Sequence, residues 1–340
     1  VSVRSGASAR RMVVGAAAVA AVAGAGAVAR SRRTGTSLPS GEPNPALADP
    51  TVRPETVPVV SADGHPIHVL AYGDPTAPPI VLAHGWTCST MFWYPQINAL
   101  AADYRVVVYD QRGHGRTGRG ASPLTPDLLG DDLDAVLAAT VRDGQKAVVV
   151  GHSMGGMSIM SWALRYPERV TELASAVMLA STGSDRLIAE TTVIPLPKRA
   201  PAVPVPVGRV ILGSTAPLIS TPLTRRGIQY VAMAPGSTRQ EVDFCVRIVR
   251  DCAPATRGGW GRALSTLDIG DALAHLTVPT TVLVGTADRL TPQVHAVRMS
   301  ERLDADDHLA RLIRLPGIGH MSTVEAPDEV NAEIRRLRHL

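Results

Sequence analysis

The chain has 340 residues, enough to bury one large core or two modest ones, and carries 34 lysines and arginines against 30 aspartates and glutamates. The basic excess is local: residues 1–33 hold six arginines and no acid, leaving 28 basic against 30 acidic side chains in the rest. A nucleic-acid binder needs its positive charge on the folded domain, so no nucleic-acid partner is expected.

Near the start, Met12 to Ala29 runs 18 residues without a charge, between Arg10-Arg11 and the cluster Arg30, Arg32 and Arg33. As a helix it would be about 27 Å long, just under the hydrocarbon thickness of a bilayer. Residues 1–33 therefore read as a membrane anchor or as an export signal with Ala27-Val28-Ala29 at an A-x-A cleavage site. The paired arginines loosely resemble a twin-arginine signal, whereas arginines after the segment favour an anchor. Both readings place the protein at a membrane or outside the cytoplasm. The Pro-rich stretch 34–56 reads as a linker.

From residue 57 strand-like and helix-like segments alternate. "PVVSADGHPIHVLAYG" predicts a hairpin turning at Asp63-Gly64. "PPIVLAHGW", "YRVVVYD", "KAVVVGH" and "LASAVMLAS" predict buried strands, and so do "PTTVLVGTAD" and "ARLIRLPG". Leu128, Leu129, Leu133, Val136 and Leu137 share one face of a helix, and "PQVHAVRMSERL" and "VEAPDEVNAEIRRLRHL" are also helical. Alternation of this kind predicts an α/β fold with a mostly parallel sheet covered on both faces. Residues 57–182 and 263–340 then form one core. The interval 183–262 has no strong strand pattern and is too long for a connection. Its apolar content predicts an inserted helical cap.

The stretch "VVVGHSMGG", Val148 to Gly156, sets a serine on a short strand-to-helix turn. Such a turn crowds its backbone, and glycine tolerates the crowding. Gly151 and Gly155 flank Ser153 in the pattern G-x-S-x-G, in the strand–turn–helix context of a nucleophile elbow. A serine hydroxyl needs a base to remove its proton, and the base needs an acid to fix its tautomer. Asp288 in "LVGTADRLTP" and His320 in "LPGIGHMS" both follow predicted strands, in the order Ser, Asp, His. Asp185 follows another strand and is the reserve acid. No metal-ligand spacing is present, and Gly113, Gly115 and Gly118 do not open a helix as a dinucleotide loop does. No cofactor or metal is expected. Cys245 and Cys252, spaced about 10 Å apart on a predicted helix, are too distant for a disulfide. With Cys88 they read as small buried apolar residues.

Taken together, "HGW", "YDQRGHGRT", "GHSMGG", "GTADRLTP" and "GIGHM" resemble the α/β-hydrolases, in particular the lidded esterase, haloperoxidase and epoxide-hydrolase-like group. The resemblance implies Ser153 as nucleophile, Asp288 as acid and His320 as base. It also implies an oxyanion hole made by the backbone N–H groups of Trp86 and Met154. His84 reads as a brace of its loop and His152 as filling of the elbow, and Asp110, Arg112 and His114 as a structural turn whose ion pair holds strand ends. A serine at the elbow disfavours the alkyl-enzyme chemistry of the aspartate-bearing relatives. Ester hydrolysis is the implied activity, with perhydrolysis, C–C bond hydrolysis and a catalytically silent binding role open. The apolar cap residues, with few charges in the Pro-rich half, predict a small uncharged or lipid-like ester with a short or medium acyl chain.

Overall fold

The computed structural model describes residues 43–142, 144–193, 205–219 and 221–340. The predicted anchor or signal at 12–29 lies outside them, as does the Pro-rich run 194–204. Among the described residues no helix is long and apolar enough to cross a membrane.

The described strands are β1 (Glu55–Val60), β2 (Pro66–Tyr72), β3 (Pro79–Ala83), β4 (Arg105–Tyr109), β5 (Ala147–His152), β6 (Ala174–Ala180), β7 (Thr280–Gly285) and β8 (Leu309–Leu315). They form one sheet in the order β1-β2-β4-β3-β5-β6-β7-β8. β1 and β2 are the hairpin turning at Asp63-Gly64, and β2 runs antiparallel to β4. Every later pairing is parallel.

Alternation along the strands assigns side chains to the two faces, because successive residues point to opposite sides of a sheet. Val81, Ala83, Ala147 and Val149 join one core, while Ile80, Leu82, Val148 and Val150 join the other. The first core is closed by α2 (Pro126–Thr140) and α3 (Met154–Arg165). The second is closed by α1 (Tyr94–Leu100) and α12 (Pro327–Arg338). The stripe Leu128, Leu129, Leu133, Val136 and Leu137 is buried, and Thr125 caps α2 by accepting from the Leu128 N–H at 3.4 Å. Between α3 and β6 lies α4 (Pro167–Leu173).

Between β6 and β7 the described chain is helical: α5 (Leu187–Glu190), α6 (Val205–Leu212), α7 (Pro222–Ala232), α8 (Arg239–Asp251) and α9 (Pro254–Leu264). α8 starts on a capping box between Thr238 and Glu241 and buries Val242, Phe244, Cys245, Val246 and Ile248 against the second face. α9 places Trp260 in the first. Of the apolar residues in this interval, Ile188 and Met233 are buried, whereas Ile219 is 69% exposed. Ile219 sits in the α6–α7 connector and does not pack on the core. After β7 come α10 (Gln293–Ala305), β8 and α11 (Ser322–Glu325). All three cysteines are free and buried.

Candidate active site

β5 ends at His152 and α3 begins at Met154, so Ser153 alone makes the turn. Its backbone is left-handed, at φ 52° and ψ −116°, a region that costs a side-chain-bearing residue of order 1–3 kcal/mol. The neighbouring glycines make the turn possible. A Cβ on Gly155 would overlap the carbonyl oxygen of Ala83 at the end of β3. A Cβ on Gly85 would stand 2.8 Å from His152 Nδ1 and 3.2 Å from the Ser153 Cβ. The loop after β3 therefore presses directly on the elbow. Ser153 is half-buried, and its hydroxyl has no hydrogen-bond partner among the described residues. The same holds for the N–H groups of Trp86, in that loop, and Met154, in the first turn of α3, where no intrahelical acceptor exists.

Asp288 lies in the loop after β7, 5% exposed. Its Oδ1 accepts from the N–H groups of Leu290 and Thr291, both at 2.9 Å. Its Oδ2 accepts from the Thr291 hydroxyl at 2.9 Å and from His320 Nδ1 at 2.8 Å. With Nδ1–H donating to the carboxylate, neutral His320 keeps its lone pair on Nε2, the acceptor a base needs. The His320 main chain is fixed from two sides. Its N–H donates to the Ala232 carbonyl at 3.0 Å, and its carbonyl accepts from His152 Nε2 at 2.8 Å. The His152 and His320 rings lie 5.0 Å apart, which brings the residue before the serine against the histidine loop. Burial, with the His320 charge second, holds His152 well below the ordinary imidazole range. His152 is thus a neutral donor that braces His320.

The remaining sequence candidates stand apart from this group. Asp185 is bound to Arg298 at 2.5 Å rather than to His320. His84 donates from Nδ1 to the Gly85 carbonyl at 2.8 Å and accepts the Gln111 N–H on Nε2. His114 accepts the Thr87 N–H at 3.2 Å. Asp110 accepts from the N–H groups of Thr90 and Arg116. The ion pair of this turn belongs to Arg112, which is fully buried and binds Asp63 at 2.7 Å and Asp132 at 2.6 Å, linking the hairpin to α2. Burial pushes the thiols of Cys88, Cys245 and Cys252 up, so none is poised as a thiolate. Among the described residues no cluster of three His, Cys, Asp or Glu side chains is placed to hold a metal ion.

Sequence reasoning missed Thr291, whose hydroxyl and N–H both serve Asp288. Its signal is a threonine three residues after the acid, the spacing at which a carboxylate captures the next turn's donors. It also missed the contact with Ala232, for which no local pattern exists.

A family model described as the alpha/beta hydrolase family matches residues 80–333. The chain belongs to this family. Over 267 residues the hydrolase is 31% identical to a putative carbamate hydrolase RutD of Rhizobium rhizogenes, covering 77% of this chain and 93% of that protein. It is 29% identical to a non-heme haloperoxidase of Rhodococcus erythropolis, covering 81% and 97%. An esterase from Exiguobacterium antarcticum shares the fold at TM-score 0.68 and 19% identity, over 84% of this chain and all of that one. The relatives of this chain include hydrolases, and this α/β-hydrolase is an enzyme of the same superfamily.

Proposed function

We propose that this α/β-hydrolase cleaves small carboxylic esters through an acyl-enzyme on Ser153. The observation that carries the reading is the 2.8 Å bond between His320 Nδ1 and Asp288, set beside a serine elbow whose hydroxyl has no hydrogen-bond partner among the described residues. In the first step Ser153 Oγ attacks the ester carbonyl carbon as His320 Nε2 takes the hydroxyl proton. The carbonyl oxygen becomes an oxyanion, received by the N–H groups of Trp86 and Met154. Each such donor is worth roughly 3–4 kcal/mol at the transition state. Asp288 stabilises the imidazolium without accepting its proton. Collapse expels the alcohol, which takes the proton from His320, and water then hydrolyses the acyl-enzyme by the same steps.

The substrate we infer is a small, uncharged ester with a short or medium acyl chain, held under a cap formed by the helices of 183–262. The haloperoxidase relative supports a second outcome, in which hydrogen peroxide replaces water as the acyl acceptor. We further infer that residues 1–33 anchor or export the enzyme, with the catalytic domain outside the cytoplasm. The deciding experiment is a p-nitrophenyl ester series at fixed leaving group, with fluorophosphonate labelling. Labelling at Ser153, with rates that rise and then fall with acyl length, is the expected result. Labelling without turnover on any ester would favour C–C bond hydrolysis, and no labelling would indicate a binding protein.

A further inference from the structure

The carboxyl end of α7 touches both the acid loop and the base loop. The Ala232 carbonyl accepts the N–H groups of His320 and Met321 at 3.0 and 3.1 Å. One residue on, a Cβ on Gly319 would stand 2.5 Å from the Met233 carbonyl carbon and the Ala234 nitrogen, so the base loop lies flush against this backbone. Glu325 Oε1 accepts from the Ala234 N–H at 2.6 Å and the Ser237 hydroxyl at 2.7 Å, holding the same segment from α11.

The acid loop reaches this segment through Arg289, the residue next to Asp288. Its Nη1 donates to the Tyr230 carbonyl at 2.8 Å and approaches the Met233 carbonyl at 3.5 Å. Its guanidinium carbon lies 4.6 Å from the centre of the Tyr230 ring, in the cation–π range. Among the described residues Arg289 has no carboxylate within ion-pair distance. Its own carbonyl, on the other side, accepts the Thr192 N–H at 2.9 Å and the Thr191 hydroxyl at 2.8 Å. Thr191 and Thr192 directly follow α5. Arg289 is therefore tied at its side chain to α7 and at its carbonyl to the segment after α5, one peptide unit from the carboxylate that binds His320.

We propose that Arg289 is a positioning residue: it sets the placement of Asp288, and through it of His320, from the helical segments between β6 and β7. The inference rests on the reading of Asp288 and His320 as acid and base. A salt bridge would serve stability wherever it sat. A guanidinium that lies over the Tyr230 ring and spends Nη1 on the carbonyls of Tyr230 and Met233 instead reports where that helix end lies, because those acceptors are fixed in the main chain. The base loop reads the same helix end through Ala232, so the two loops share one reference. Movement of α7 would then displace both partners of the Asp288–His320 bond, and misplacement of about 1 Å can cost about 100-fold in rate.

The test is Arg289→Lys, which keeps the charge and loses the planar group that covers the Tyr230 ring while donating to its carbonyl. The charged and titratable groups facing the His320 ring are Asp288 and His152, with His295 of α10 and Glu325 of α11 within electrostatic reach of Asp288. All of these stay in place in the variant. The expected result is a fall in kcat of about tenfold with KM changed less than about twofold. The His320 Nδ1–H proton, followed by NMR, should move upfield as its hydrogen bond to Asp288 lengthens. A purely stabilising role for Arg289 would leave that resonance in place. A variant with wild-type kcat and an unmoved resonance, whatever its melting temperature, overturns the inference. Should Arg289→Lys fail to fold, Thr191→Val removes one bond to the Arg289 carbonyl and is expected to move the resonance in the same direction. An unmoved resonance there overturns the inference equally. A wild-type protein that neither hydrolyses esters nor is labelled at Ser153 would defeat the hydrolase reading alone, since the Nδ1–H resonance still decides the role of Arg289.

Discussion

The serine elbow and the loops of Asp288 and His320 stand at the same sheet edge but are held in opposite ways. The elbow is fixed by exclusion: Gly155 lies where any Cβ would overlap the Ala83 carbonyl, and Gly85 closes on Ser153 from above. Asp288 and His320 are fixed by attraction, through hydrogen bonds that reach Thr291, His152 and the end of α7. A site held by exclusion fails when atoms are added, and one held by hydrogen bonds fails when atoms are removed.

The largest effect is expected at the centre of the elbow. Ser153→Ala adds no bulk and should keep the fold, yet lower kcat by about a million-fold, the scale seen when a serine-hydrolase nucleophile is deleted. Circular dichroism with ester turnover checks both halves. Asp288→Asn tests the other region: the amide cannot hold the Nδ1–H tautomer, and turnover should drop about 10,000-fold. Near-wild-type turnover in that variant would remove Asp288 from the mechanism. Gly155→Ala tests exclusion itself. The clash is with backbone that cannot rotate away, so stability should fall by about 3 kcal/mol or more, read as a lower urea midpoint. A neutral Gly155→Ala would mean the elbow is not sterically fixed.

A further effect is on acid stability and involves the buried rings of His84, His114 and His152. Burial lowers His84 to about 4 and His114 to about 3, and holds His152 well below the ordinary range. In the unfolded chain these rings protonate near pH 6.5. The unfolded state therefore binds more protons between about pH 3 and 6.5, and stability rises with pH across that window. It should be complete above about pH 6.5 and decline as pH falls toward 4. Urea midpoints from pH 7 to 4 check the slope. A flat profile would show that these rings are not kept neutral by the fold.

The two regions also differed in how far the sequence revealed them. Exclusion leaves a local trace, because the glycines that permit the turn sit two residues either side of Ser153. The strands were equally plain, since valine runs such as "AVVVGH" report burial on both faces. Attraction between distant segments leaves no such trace. Ala232 and His320 are 88 positions apart by numbering, and nothing near either residue announces the bond that joins them. Arg112 shows the same limit: its turn was evident from "YDQRGHG", but its partners Asp63 and Asp132, 49 and 20 residues away, were not. In the helical interval, apolar composition overstated burial, because α6 leaves Val207 and Val210 at 49% and 65% exposure.

The sheet order carries a consequence for synthesis. From β5 the strands are laid down in chain order across the sheet, β6, β7, then β8, so the edge bearing Asp288 and His320 is built outward from the serine. His152 and His320 are separated by 168 residues, about 10 to 30 seconds of translation at typical ribosomal rates. For that interval the nascent chain carries Ser153 without the His320 segment to which His152 is bonded in the folded enzyme. Ribosome-stalled chains halted before β8 should therefore show no ester turnover.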